Sequence, residues 1–353
     1  MYEQCRSNSD EGNSIKKEEK KENSLAEVRT KENPYYFQSQ KFRSSYKSQE
    51  GHLKILEWFS KRSKLLRGLD NYHLAVFEAS PNTFSVPHHC DVEVVFVVLK
   101  GKRTITFLLR GKRESYNVES YDVIGVPAGT TVYSINLCII LSQGYFAGGG
   151  DNPESFYRAF SNDILETALK TPKDRLDRFF GQQKKGFVLK ASREQIKALS
   201  EHAFFSTKQR GHEWRGPFSL RNQQSIYSNN HGKFFGASPD DCKQLQDINL
   251  SGALMVPHYN SWTTIVVLVV EGRGRFEMAC PHLERQRHDP NSGRYQKISS
   301  QLSPGDVFII PAGHPVAVLA SENENLRTLG FGINVVASGP IASILTCGAH
   351  CPI

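Results

Sequence analysis

No apolar run in the chain approaches the roughly 20 residues needed to cross a bilayer; the run Ile265–Val270 has the length of a buried strand. The N-terminus has no apolar h-region of the kind a secretory signal carries. Seven cysteines (Cys5, Cys90, Cys138, Cys242, Cys280, Cys347 and Cys351) make an odd set without a CxxC pair, which argues against a disulfide framework. An RNP-like aromatic motif, zinc-finger spacing and a basic recognition helix are also missing. The net charge is +8, from 44 basic and 36 acidic residues, but the basic residues are scattered. Their densest tract, Lys16–Lys21, contains Glu18 and Glu19. Neither a nucleic acid nor a membrane is therefore expected as a partner. By these features alone the chain reads as an untargeted soluble protein.

What the chain does have is the same pattern twice. Val86-Pro87-His88-His89-Cys90 leads into the apolar run Val94–Leu99 and then Gly101. Val256-Pro257-His258-Tyr259-Asn260 leads into Ile265–Val270 and then Gly272. Further along, Asp122-Val123-Ile124-Gly125-Val126-Pro127-Ala128-Gly129 is matched by Asp306-Val307-Phe308-Ile309-Ile310-Pro311-Ala312-Gly313. Two matched pairs in one order mean that a β-rich unit was duplicated. An offset of about 170 to 184 residues marks a repeated domain, not a solenoid repeat. At 353 residues, two domains with separate cores are expected.

Residues 1–33, rich in Lys, Glu, Asn and Ser, bury too little to offset ordering and are expected to be disordered. From 34 to about 146 the chain reads as short strands with Gly and Pro turns, the signature of a sandwich or barrel. Between the two β units the period changes. Phe156, Phe160, Ile164, Leu165 and Ala168 fall at helical spacing, and Pro172 breaks the run. Leu176, Phe179 and Phe180 mark a second helix ending near Gly181; Ser192 caps a third. Strands return over 218–333, and 335–353 carries little pattern. The expected division is a disordered tail over 1–33, an N-terminal barrel with a helical arm over 34–183, a C-terminal barrel over 184–334 and an irregular tail over 335–353.

A long ordered series of phrases resembles the cupins, and among them the bicupin vicilins, the 7S globulin seed storage proteins. It includes Asn33-Pro34-Tyr35-Tyr36-Phe37, Lys61-Arg62-Ser63-Lys64-Leu65-Leu66-Arg67-Gly68 and Val126-Pro127-Ala128-Gly129-Thr130-Thr131. Asn152-Pro153-Glu154-Ser155-Phe156-Tyr157, Phe179-Phe180-Gly181-Gln182-Gln183, Pro257-His258-Tyr259-Asn260-Ser261 and Phe331-Gly332-Ile333-Asn334 continue it. The resemblance implies a mainly β fold of two jelly-roll barrels with interdomain helices, a homotrimer, and a non-enzymatic nutrient reserve in storage vacuoles reached by the secretory route. Some vicilin-like chains carry Cys-rich basic N-terminal segments released as antimicrobial peptides. Here Cys5 stands alone in the tail, without paired CxxxC motifs, so that reading is weak.

Catalytic cupins hold a metal with an HxH pair, a Glu and a later His, a set suited to iron or manganese. His88 and Cys90 take the HxH places in the first repeat; Val94 and Val95 stand where the Glu belongs, with Glu93 one place off, and Val132 replaces the last His. In the second repeat the places fall to His258 and Asn260, Thr264 and Ile265, and Val316. Both sites have lost most of their ligands, so no enzyme is expected. His88, His89 and His258 read as half-buried strand residues with hydrogen-bond partners, and Cys90 as a small inert hydrophobe. One other cluster could hold a metal. Cys280 and His282, at i and i+2, can face one side of a strand, and His314 follows the second Pro-Ala-Gly turn on the opposite wall. A thiolate with two imidazoles suits copper or zinc. The alternative reading is that the three are unrelated packing residues.

The chain also departs from the family. The second repeat has a strand over Asn325–Ile333; the first has only about ten residues between Asn136 and Gly148, including Leu137-Cys138-Ile139-Ile140-Leu141. A strand is expected to be missing there, or replaced by Cys138–Leu141, exposing a sheet edge and apolar surface. Cys242–Leu250 leaves little room for a strand pair, and Val335–Ile353 lacks the polar helical arm that clasps the next subunit in vicilins. These features, with the absent signal segment, predict a shortened or altered product with weakened trimerisation and folding stability.

Overall fold

The computed structural model describes residues 33–109, 112–135, 144–146, 156–181, 188–201, 203–205, 216–230, 232–237, 264–281, 295–333 and 342–347. Residues 1–32 of the expected disordered tail, His258, His282, Cys138–Leu141 and Cys242–Leu250 lie outside them, whereas Asn33, the last residue of that tail, is ordered and buried, its side-chain amide donating to Ser300 at 2.9 Å.

The first unit opens with β1 (Tyr36–Phe37), β2 (Phe42–Lys47), β3 (Gly51–Leu56), the single-turn helix α1 (Phe59–Arg62) and β4 (Ala75–Ala79). It continues through β5 (Thr83–Ser85), β6 (His88–Cys90), β7 (Val94–Val97), β8 (Lys102–Leu109), β9 (Lys112–Glu119), β10 (Asp122–Val126), β11 (Thr131–Ile135) and β12 (Gly144–Phe146). The connector holds α2 (Asn162–Leu169), α3 (Lys173–Gly181), β13 (Val188–Lys190), α4 (Arg193–Ser200) and β14 (Phe204–Phe205). The second unit comprises β15 (Phe218–Ser219), β16 (Tyr227–Asn229), β17 (Gly232–Ala237), β18 (Thr264–Glu271), β19 (Gly274–Cys280), β20 (Gln296–Leu302), β21 (Val307–Ile310), β22 (Val316–Ala320), β23 (Leu326–Ile333) and β24 (Ala342–Cys347).

The apolar motif runs form the central strands. Val94–Val97 and Val307–Ile310 are buried on both faces, which is why they read as unbroken apolar stretches instead of alternating ones. Each Pro-Ala-Gly phrase makes a turn. In the first, the Gly129 amide donates to the Cys90 carbonyl at 2.7 Å, fastening the turn to the end of β6. The second and third connector helices form where the spacing predicts them; the first starts only at Asn162, with Phe156 in a separate 3-10 turn and Phe160 outside the helix. Ser192 completes a capping box: its Oγ accepts from the Gln195 amide at 3.2 Å, and the Gln195 side chain accepts from the Ser192 amide at 2.9 Å. Leu165 and Leu176 bury against Tyr157 between α2 and α3, while Phe160 and Ile164 stay exposed.

The barrels exchange their leading strands. β1 pairs with β21, setting Tyr36 opposite Phe308, and β15 pairs with β10, setting Phe218 opposite Val123. β13 and β14 join the first unit, on β5 and β9. The seam is apolar. Val95, Val97 and Val123 from the first unit share one cluster with Ile265, Val267 and Phe308 from the second. The other face of the same sheet, Val94, Phe96 and Ile124, fills the first barrel.

Among the described residues the two units do not match strand for strand. The second has a seven-stranded sheet, β1-β21-β18-β23-β24-β17-β16. The first has β15-β10-β7 and, separately, β2-β3-β4. Aligning Gly101 with Gly272 and Asp122 with Asp306 makes β7 the counterpart of β18, and among the described residues β23 has no counterpart beside β7. The apolar exposure expected there does not follow. Val94–Val97 are each no more than 2% exposed, because one face fills the barrel and the other meets the second unit. The tail, expected to be irregular, contributes β24, which pairs with both β17 and β23.

Candidate metal centre in the second barrel

The site grows out of the alternation along β19. Phe276, Met278 and Cys280 point inward and are at most 1% exposed, while Arg275 and Glu277 point out, where Glu277 meets Lys297. The facing strand follows the Pro311-Ala312-Gly313 turn, closed by the His314 amide donating to the Pro311 carbonyl at 3.1 Å. β22 runs antiparallel to β19 with Met278 opposite Val316, and the Ala279 amide donates to the Pro315 carbonyl at 2.9 Å. Extending that register by two places sets Cys280 opposite His314.

His314 is buried, and its Nδ1 lies 3.1 Å from the Ala312 carbonyl. That contact assigns the proton to Nδ1 and the lone pair to Nε2, the nitrogen a metal would use. Burial pushes the Cys280 thiol up to about 12, so the sulfur is protonated in the metal-free protein. A bound soft cation would reverse this by stabilising the thiolate.

Tyr35 completes the neighbourhood. Its carbonyl accepts from the Ile309 amide at 2.8 Å beside the β1–β21 pair, and its ring meets the His314 ring edge-on with centroids 6.0 Å apart. Burial, then the nearby Cys280, push its phenol up to about 12. Of the three residues expected at this centre, Cys280 ends β19 and His314 precedes β22, the strand paired with it; His282, two places past Cys280, lies outside the described residues. Among the described residues no three His, Cys, Asp or Glu side chains converge as a metal site. Tyr35 was not predicted here. The only signal was an aromatic phrase, Asn33–Phe37, standing ahead of the first barrel without a partner in it.

In the first barrel, β6 and β11 run side by side with Val132 opposite His88. Two of the metal positions of a catalytic cupin are therefore neighbours, but an apolar side chain fills the last imidazole's place. His88 is only 1% exposed, more deeply buried than its sequence context suggests; its Nδ1 lies 2.9 Å from the Val86 carbonyl, and burial lowers its pKa. Cys90 is buried, as expected for a small hydrophobe.

A duplicated antiparallel barrel, with Pro-Ala-Gly turns at equivalent places and helices between the copies, defines a bicupin. A family model described as Cupin matches residues 218–346. The chain is 47% identical over 329 residues to the vicilin Cor a 11.0101 of Corylus avellana, spanning 86% of this chain and 72% of that protein. It is 43% identical to the vicilin Jug r 6.0101 of Juglans regia, spanning 93% and 73%. The solved structure of vicilin from Capsicum annuum superposes with a TM-score of 0.77 at 44% identity, over 87% of this chain and 88% of that one. Vicilin from hazelnut, Corylus avellana, gives 0.76 at 44%, over 90% and 87%. The chain belongs to the vicilins, the 7S globulin seed storage proteins of the cupin superfamily.

Proposed function

We propose that this protein is a non-enzymatic nitrogen reserve, held in the protein storage vacuole and assembled as a homotrimer. The observation that carries the non-enzymatic part is Val132 opposite His88. A cupin metal site without its last imidazole, and with Val94 and Val95 at the carboxylate position, has no means of activating oxygen or a substrate. A reserve needs compact barrels that resist proteolysis until germination. Two measurements test the reading. Light scattering on a sizing column is expected to give a discrete species near three times 39.8 kDa; a monomer or a heterogeneous aggregate would overturn the assembly. Immunoblots of developing and germinating seed are expected to show accumulation and then loss; a constant level through germination would overturn the reserve role.

A second property of the same protein would rest on continuing the β19–β22 register, which would set Cys280 opposite His314. Cys280, His282 and His314, with Tyr35 alongside, would hold one copper or zinc ion, serving structure or metal storage. Elemental analysis of protein purified without chelators is expected to show bound metal that Cys280→Ala loses. Equal metal content in the two proteins would remove this reading.

A further inference from the structure

The turn between β9 and β10 holds a bulky side chain where the backbone disfavours one. Tyr121 has φ of +73°. Left-handed backbone at a non-glycine residue is disfavoured and persists only where its surroundings impose it. The equivalent position in the second unit, immediately before Asp306, is Gly305 with φ of +87°. The turn itself therefore demands this conformation: the second unit meets it with glycine, and the first with tyrosine.

The backbone on the first-barrel side is the same in both turns. The Tyr121 amide donates to the Val98 carbonyl at 2.6 Å, as the Gly305 amide does to Val269 at 2.8 Å. What distinguishes Tyr121 comes from across the seam. Its hydroxyl accepts from an Arg327 guanidinium nitrogen at 2.8 Å, and that nitrogen also donates to Glu271 at the same distance. Arg327 lies 5.5 Å and Arg221 5.9 Å from the centre of the Tyr121 ring, within cation–π range. The Tyr121 carbonyl accepts from the Leu220 amide at 3.1 Å, on the arm that leads into the second unit. The ring is 7% exposed and belongs to the inter-barrel core. Arg327 sits on β23 of the second unit.

We propose that Tyr121 is a strained latch between the barrels. Its conformational cost falls on the first barrel and the contacts that offset it belong to the second, so the turn stays strained only while the seam is closed. The latch makes the barrels open and unfold as one unit. A residue kept solely for the turn would be better served by glycine.

Hydrogen exchange and calorimetry of the full chain test this with Tyr121→Gly. Exchange of the Leu220 amide is expected to quicken at least tenfold, while Val267, central in β18, stays unchanged. Calorimetry is expected to give one unfolding transition for the unmodified chain and two for the variant. An unchanged Leu220 rate, or a single transition at an unchanged or higher midpoint, would overturn the proposal, because relief of strain would then be the whole effect. Should Tyr121→Gly fail to fold, Arg327→Gln leaves the turn intact and removes the partner. Leu220 exchange is then expected to quicken several-fold, and an unchanged rate in this variant also overturns the latch.

Discussion

The Tyr36 hydroxyl donates to a carboxylate oxygen of Asp306 at 2.7 Å, joining residues 270 positions apart. The other carboxylate oxygen accepts from the Ser39 amide at 2.9 Å, and the one bonded to Tyr36 also accepts from Ser303 at 2.8 Å. Asp306 thus holds the leading strand of the first unit on the second barrel. Hydrogen bonds to a charged group contribute about 1.5–3 kcal/mol. Tyr36→Phe, which leaves two donors on the carboxylate, is expected to cost about 1.5 kcal/mol. Asp306→Ala, which strands all three donors, is expected to cost about 3 kcal/mol or more. Urea midpoints at constant slope would check both, and equal losses for the two variants would contradict this account.

His88 makes stability depend on pH. Burial lowers its pKa in the folded state, with neighbouring His89 acting in the same direction against the hydrogen bond to Val86. The imidazole is therefore neutral when folded and takes up a proton when the chain unfolds below about pH 6.5. The unfolded state then binds more protons, so stability rises with pH; this contribution is full above about 6.5 and is lost as the pH falls towards the folded value. One group can contribute up to about 1.4 kcal/mol per pH unit in that window. His88→Asn keeps a donor for the Val86 carbonyl and removes the titration. Urea midpoints between pH 7.5 and 5 are expected to fall less steeply in the variant, and parallel curves would show that His88 is not responsible.

The parts of the fold legible in the sequence are those with a period or a repeated phrase. Val94–Leu99, the Pro-Ala-Gly turns and the Ser192 cap each announce themselves locally, and the duplicated phrases fixed the two-barrel plan. The strand exchange did not show. β1 and β15 have two residues each, too few for any alternation, and their partners lie some 270 and 96 positions away. For the same reason Tyr35 could not be assigned to the Cys280 neighbourhood. Ala342–Cys347 carries no turn signal or clear alternation, and becomes a strand only because β17 and β23 offer it two edges. The strand expected to be lost after Asn136 was an inference from chain length alone, and it falls on residues outside the described ones.

Cys280 should be nearly inert in the metal-free native protein. With its thiol pushed up to about 12, the thiolate fraction at pH 8 is roughly a thousandfold below that of an ordinary cysteine. Its 1% exposure slows attack further. Peptide mapping after brief alkylation is expected to find Cys280 unmodified in native protein and fully modified in denaturant. Rapid native labelling would mean that the site opens to solvent.

Two equivalent glycines are predicted to tolerate substitution differently. Gly101 and Gly272 close the matched turns after β7 and β18, with φ of +88° and +77°. Either one changed to alanine pays the left-handed penalty of about 1–2 kcal/mol. At Gly101 the nearest atom to the new Cβ is the end of the Arg103 side chain, which can swing away. At Gly272 it is the backbone carbonyl of Asn325, where the chain enters β23, and the oxygen lies too close to leave room for a methyl group. That backbone is pinned on both sides by the eight-residue strand it begins, since β23 pairs with β18 and β24. Gly101→Ala is expected to cost about 1–2 kcal/mol, and Gly272→Ala clearly more, with a lower thermal midpoint and faster exchange along β23. Equal losses at the two positions would mean that the first unit also places fixed backbone against its turn.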